Sequence, residues 1–126
     1  MKPNDGKPKH YKDLLIWQKA VELAKNVYRL TEDFPKDERF GLVVQVRRAA
    51  VSVASNIAEG QARFGTKEFL QFLSHSTGSL AELDTQLIIS GGLGFGDRDK
   101  AAVVSEGITE LQKMVAGMRR SLLASH

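Results

Sequence analysis

Apolar side chains recur at alternating spacings of three and four residues along most of this 126-residue chain. Side chains at this spacing share one face of an α-helix, because the helix turns once in about 3.6 residues. Four such segments follow one another, and we expect helices at residues 13–31, 37–63, 66–90 and from about 98 onward. The expected core positions, in chain order, are Ile16, Ala20, Leu23, Val27, Leu30, Val43, Val46, Ala50, Val53, Ile57, Phe69, Leu73, Ser76, Leu80, Leu83, Leu87, Val104, Ile108, Leu111, Val115, Met118 and Leu122.

Capping and turn residues mark the expected ends of these helices. Asp13, Thr66 and Asp97 are the expected N-caps of the first, third and fourth helices, because their side-chain oxygens can accept hydrogen bonds from free backbone amides. Gly60 is expected to loosen the end of the second helix, and Gly65 to close the turn that follows it. Four amphipathic helices joined by short turns predict an all-α, antiparallel up-down-up-down four-helix bundle.

The first twelve residues carry no helical pattern. They include two prolines and four lysines, so we expect residues 1–12 to form a flexible basic leader outside a bundle domain at residues 13–126. The chain has no cysteine, which excludes a disulfide framework, and no apolar run of about 18 residues that would span a membrane. A single-domain cytoplasmic protein without a membrane partner is therefore expected.

The first helix carries a second apolar stripe beside its core stripe, and this stripe includes two aromatic residues. A helix in a monomeric bundle needs only one apolar stripe, so the second predicts a contact with another copy of the chain. Its aromatic residues could instead stack on nucleic-acid bases. On the second helix, two polar residues among small neighbours are expected to fix helix register or subunit pairing rather than bind a ligand. The predicted oligomer interface comprises Trp17, Val21, Tyr28, Asn56 and Glu59.

No pattern of catalytic or metal-binding residues accompanies these helices. Di-iron bundles use Glu-x-x-His pairs that project inward, and none of the three histidines has a glutamate three positions before it. The glycines at 92, 94 and 96 follow a predicted helix instead of a strand, and no Lys-Ser or Lys-Thr pair completes a phosphate-binding loop. We therefore expect a protein that is not an enzyme and has no catalytic residue, metal or cofactor.

Positive charge is concentrated around the second predicted helix, although the net charge is only +3. Arg47, Arg48, Arg63 and Lys67, together with the lysines of the leader, are candidates for contacts with nucleic-acid phosphates. Adjacent helical residues point about 100° apart, so at most one of the two neighbouring arginines faces the core. The alternative is pairing with nearby carboxylates, which the i, i+4 spacing of Glu59 and Arg63 favours.

Five short motifs occur in one order along the chain: WQKA, ERFGL, RRA, SNIAEG and GSLAEL. Their combination resembles the 23S rRNA intervening-sequence (S23) family of four-helix bundle proteins. Members of that family form cyclic homopentamers, and related accessory proteins of diversity-generating retroelements bind nucleic acid and a reverse transcriptase. The resemblance implies a cyclic homopentamer without enzymatic activity that binds RNA or DNA. The alternative is a scaffold that docks a protein partner without direct nucleic-acid binding.

Overall fold

The computed structural model describes residues 10–63 and 65–125, so residues 1–9 of the expected leader lie outside the described residues. These described residues form four α-helices and two short 3-10 turns, with no β-strand, which confirms the all-α fold. None of the described helices combines the length and apolarity that a membrane crossing requires. The elements are a 3-10 turn at Tyr11–Asp13, α1 at Leu15–Thr31, a second 3-10 turn at Lys36–Glu38, α2 at Leu42–Ala62, α3 at Thr66–Gly92 and α4 at Arg98–Ala124.

The first two helices begin later than their capping residues predicted. Asp13 belongs to the first 3-10 turn, and the N-cap of α1 is Leu14, which makes no side-chain capping bond. Leu14 is extended and buried in the core, so packing of its side chain sets the start of α1. The residues expected to open the second helix form the other 3-10 turn, and α2 begins only after Gly41.

The last two helices match the expected ends more closely. Asp97 is the N-cap of α4, as predicted, and its carboxylate accepts a hydrogen bond from the backbone amide of Lys100 at 2.9 Å. The N-cap of α3 is Gly65 rather than Thr66, which is the first helical residue. The helix also continues two residues beyond the expected end, through Gly91 and Gly92.

One core lies between the four helices. Helix α1 packs against α2 and α4, and α3 packs against the same two neighbours. All ten core positions predicted on α1 and α2 are buried, and each large side chain fully buried there contributes about 1.5 to 3 kcal/mol. On α3 and α4 the ends of the predicted stripes lie at the edge of the core and are only partly buried: Phe69, Leu87, Met118 and Leu122.

Helices α2 and α3 approach each other closely at Gly60. This glycine lies in the last turn of α2 and is buried. A Cβ atom at this position would lie 2.7 Å from Cβ of Phe72 and 3.1 Å from Cδ1 of Phe69. Further along the contact, the hydroxyl of Ser76 donates a 3.0 Å hydrogen bond to the carbonyl of Val53. Small side chains therefore allow two backbones to pack at short range.

The turn between α3 and α4 packs against the end of α1. Gly96 has a φ of +84°, and a Cβ atom there would lie 2.8 Å from Leu30 and 2.9 Å from Phe34. Nearby, Nζ of Lys100 donates a 2.8 Å hydrogen bond to the carboxylate of Asp33, and this bond raises the pKa of Lys100. The free energy that this ion pair contributes to folding is fully present at pH values below the ordinary lysine pKa. It is lost as the pH rises through the raised pKa of Lys100.

Candidate functional site

An open groove of about 570 Å³ runs between the outer faces of α1 and α2. The second apolar stripe of α1 forms one wall, and an outward stripe of α2 forms the other. Alanines at positions 54 and 58 give the groove its depth, because their short side chains leave space between bulkier neighbours. We call this surface the α1/α2 groove; its lining residues are Tyr11, Trp17, Val21, Ala24, Lys25, Tyr28, Arg29, Val51, Ala54, Ser55 and Ala58.

The apolar surface continues beyond the α1/α2 groove toward the start of α2. A second cavity of about 570 Å³ shares Tyr28 and Val51 with the groove and adds Val44. Tyr28 and Val51 are each 43% exposed, which is a high exposed fraction for large side chains that line an apolar groove. Along both hollows the charged lining residues of the described chain are all basic: Lys25, Arg29, Arg47 and Arg48.

Arg47 and Arg48 have different surroundings. The Nε of Arg47 donates a 2.8 Å hydrogen bond to the hydroxyl of Thr31, which is buried at the end of α1. Its guanidinium carbon also lies 4.3 Å from the ring centroid of Tyr28, within the range of a cation–π contact. Arg48 is exposed. Arg47 therefore stabilises the contact between α2 and α1, whereas the guanidinium of Arg48 faces solvent.

We expect Arg47→Ala to lower the free energy of unfolding by about 1 to 2 kcal/mol, because it removes a charge-assisted hydrogen bond to a buried hydroxyl. Urea denaturation at a fixed protomer concentration measures this loss. Arg48→Ala is the matched control, and it is expected to change the same quantity by less than about 0.5 kcal/mol. Equal losses for the two variants would contradict the structural role of Arg47.

The other two predicted phosphate-binding residues lie at the opposite end of α2. Arg63 pairs with Glu59 at 2.8 Å, and its guanidinium carbon lies 5.1 Å from the ring centroid of Phe72. Lys67 is exposed on the first turn of α3. At 1.5 Å per residue, Arg48 and Arg63 are roughly 22 Å apart along the helix axis. The structure therefore does not bring the four basic residues together within one protomer.

Asn56 and Glu59 do not line the α1/α2 groove, unlike the other three residues predicted for the oligomer interface. The side-chain amide of Asn56 donates to the carbonyl and to the hydroxyl of Ser52, at 2.8 and 2.9 Å. That hydroxyl is in turn 2.9 Å from the hydroxyl of Ser79 on α3. Asn56 thus belongs to a polar network between α2 and α3, beside a shallow cleft that includes His75. Within residues 10–63 and 65–125, no three His, Asp or Glu side chains are grouped closely enough to hold a metal ion.

Sequence reasoning did not identify Val51 as part of the surface that α2 contributes to the groove. Val51, Ala54 and Ala58 recur at spacings of three and four, which is the signal of a helical stripe. This spacing aligns the two alanines with Val51 on one outward face of α2. Together with the second stripe of α1, they turn a broad apolar face into a concave surface.

Comparison with known proteins agrees with the motifs. The family model described as 23S rRNA-intervening sequence protein matches residues 12–117. The fold is similar to the crystal structure of a protein of unknown function from the S23 ribosomal protein family of Bacteroides thetaiotaomicron VPI-5482. The two structures superpose with a TM-score of 0.74 at 18% sequence identity. The matched region covers 83% of this chain and 98% of the other. No curated protein sequence matches the chain. Because the family model spans most of its length, the chain belongs to the 23S rRNA-intervening sequence protein family.

Proposed function

We propose that this chain is a non-enzymatic scaffold protein whose copies assemble through the α1/α2 groove and, once assembled, bind RNA or DNA in the cytoplasm. The observation that carries the proposal is the open apolar groove, along which the charged lining residues in the described part of the chain are all basic. Family resemblance supports a ring of five copies. A ring repeats each basic residue once per copy, so individually weak phosphate contacts add up across the assembly.

The proposal includes an antiparallel up-down-up-down arrangement of the helices. Arg47 near the start of α2 contacts Thr31 at the end of α1, and Gly60 near the end of α2 meets Phe72 near the start of α3. These contacts support antiparallel neighbours. In such an arrangement the groove runs along the length of the protomer, which favours its use as a lateral contact between copies.

Arg48 and Lys67 are the basic residues best placed for phosphate contacts. Arg47 and Arg63 already contact Thr31 and Glu59, whereas Arg48 and Lys67 make no ion pair among the described residues. Both are exposed. Because they lie near opposite ends of α2, a strand of nucleic acid that contacts both must follow the outer surface of the protomer or pass between copies.

The test is the affinity of the assembled protein for a fluorescent RNA or DNA oligonucleotide, measured by anisotropy at about 50 and 200 mM salt. Phosphate contacts predict a steep loss of affinity as salt rises, with a log–log slope of roughly −0.7 to −0.9 per contact. The double variant Arg48→Ala/Lys67→Ala is expected to flatten that slope and lower the affinity about tenfold or more at the lower salt concentration.

Lys113→Ala is the control for this experiment, because Lys113 is an exposed cation on α4, away from the α1/α2 groove. It is expected to leave both affinity and slope unchanged. Absence of binding at 50 mM salt, or equal effects of the double variant and the control, would contradict the proposed nucleic-acid surface.

The second candidate function is a scaffold that docks a protein partner without binding nucleic acid. The separation of the four basic residues favours this second function. Arg48 lies roughly 22 Å along α2 from Arg63, so the four residues do not form one continuous basic surface on a protomer. Co-purification of one stoichiometric protein, with no nucleic-acid binding at low salt, would support this function in place of the first.

A further inference from the structure

We propose that the α1/α2 groove of one copy receives the apolar end of α3 from the next copy, so that the contact joins two different surfaces. The α3 end consists of Ile88, Ile89 and Leu93. This inference rests on the proposed function, since it specifies how the homo-oligomer is built. It identifies the convex surface that fills the groove.

The α3 end is the largest group of exposed apolar side chains close together in sequence among the described residues. Ile88, Ile89 and Leu93 are 69%, 50% and 61% exposed, although α3 buries leucines at positions 73, 80 and 83 completely. Aliphatic side chains exposed to this degree at one helix end are typical of a contact with another molecule. None of the three lines the α1/α2 groove of its own chain.

Charge distinguishes the two surfaces. Among the described residues, the charged side chains that line the groove and its extension are all cations, of which Arg29 pairs with Glu22 at 3.6 Å. In the sequence around the α3 end, acidic residues outnumber basic ones. The C-terminal end of α3 also carries the negative end of the helix dipole. The ionisable residues between positions 82 and 100 are Glu82, Asp84, Asp97 and Asp99 against Arg98 and Lys100.

Complementary charge favours a contact between unlike surfaces. A two-fold contact of groove against groove would bring Lys25 and Arg48, which make no ion pair among the described residues, toward their own copies, and like charges across an interface oppose association. The groove against the α3 end joins opposite signs and covers apolar side chains on both partners. Contacts between different surfaces repeat head to tail and close into a ring when the rotation allows it.

Cysteine cross-linking tests this contact directly, because the chain has no cysteine of its own. Val21→Cys in the groove and Ile88→Cys at the α3 end are made in separate chains, one of them enlarged by a tag. The chains are unfolded, mixed, refolded together and oxidised mildly. A disulfide requires Cα atoms about 4.4 to 6.8 Å apart, so only neighbouring positions become linked.

We expect mixed covalent dimers of Val21→Cys with Ile88→Cys to exceed each self-linked dimer about tenfold, an enrichment that reflects the geometric requirement of the bond. Leu123→Cys replaces Ile88→Cys in the control, because Leu123 is also 60% exposed but lies at the far end of α4. Dominant self-linking of Val21→Cys would indicate a two-fold contact and overturn the proposal. Equal linking of Leu123→Cys would overturn it as well.

A second variant covers the case in which no disulfide forms. Ile88→Lys replaces an apolar side chain of the α3 end with a cation that would face the basic groove of the next copy, and it is expected to reduce the mass of the assembly to that of the protomer. If the unaltered chain is oligomeric but Ile88→Lys leaves the mass unchanged and no mixed dimer forms, the α3 end is the wrong surface while the proposed assembly stands. If the unaltered chain is monomeric, the proposed function itself fails.

Discussion

Val21→Glu is expected to convert the homo-oligomer into folded protomers of 13.9 kDa. Val21 lines the α1/α2 groove, is only partly buried in the protomer and does not belong to the hydrophobic core cluster. A glutamate there remains in water while the protomer is alone, and glutamate favours helix more than valine does. Assembly would bury its charge against apolar side chains of the next copy.

The size of the effect follows from two opposing contributions. Desolvation of a buried carboxylate costs several kcal/mol. The new side chain can pair with Lys25 four residues later, but such a pair contributes only about 0.2 to 0.5 kcal/mol. We therefore expect association to weaken at least about 100-fold, which is a change of roughly 3 kcal/mol per contact. Light scattering gives the mass, and circular dichroism reports whether the helices persist.

Leu123→Glu is the matched control for Val21→Glu. Leu123 is 60% exposed at the last turn of α4 and lines neither the groove nor its extension. The control is expected to keep the mass of the unaltered protein. Retention of the oligomeric mass by Val21→Glu, with normal helix content, would show that another copy does not cover the groove.

Gly60→Val is expected to lower the free energy of unfolding by about 3 kcal/mol, because excess volume in a close-packed contact forces neighbouring backbones apart. Even the first added carbon would lie 2.7 Å from Cβ of Phe72, an atom fixed to the backbone of α3. The surrounding helices must shift to accommodate it. Urea denaturation at a fixed protomer concentration measures the loss.

Gly78→Val separates this steric effect from the change in helix propensity. Gly78 lies within α3, and a Cβ atom there meets nothing within 4 Å. Valine has a higher helix propensity than glycine by roughly half a kcal/mol, so this variant is expected to be neutral or slightly more stable. Equal destabilisation by the two variants would mean that the close approach of α2 and α3 at Gly60 does not explain the effect.

The core could be predicted well because helical periodicity alone determines which residues share a face. The stripes of α1 and α2 are buried at every predicted position. Helix starts were less predictable, because capping chemistry competes with packing. Leu14 illustrates this: its burial in the core, rather than a carboxylate at Asp13, sets the start of α1.

The surfaces were only partly predictable, because periodicity identifies a face but not the neighbour that it meets. Trp17, Val21 and Tyr28 were expected together and do line one groove. Asn56 was assigned to the same interface, yet its side chain bonds to Ser52 within its own chain. The bond from Asn56 to Ser52 lies within α2, whereas the contact from Ser52 to Ser79 depends on the position of α3 relative to α2, which no local sequence pattern specifies.

The paired arginines show the same limit. The angle between adjacent helical positions indicates that Arg47 and Arg48 point in different directions, but it does not say which one points inward. The answer depends on Thr31, sixteen residues earlier, whose buried hydroxyl accepts the bond from Arg47. Similarly, Arg48 and Arg63 were expected on the same helix, but the length of α2 holds them roughly 22 Å apart.

The central claim is that another copy of the chain covers the α1/α2 groove. Multi-angle light scattering of the unaltered protein, across micromolar concentrations and with the absorbance ratio recorded on the same peak, tests this claim most directly. We expect a defined multiple of 13.9 kDa, five copies by family resemblance, and a raised absorbance at 260 nm if nucleic acid is retained. A single particle of 13.9 kDa throughout that range would contradict the claim.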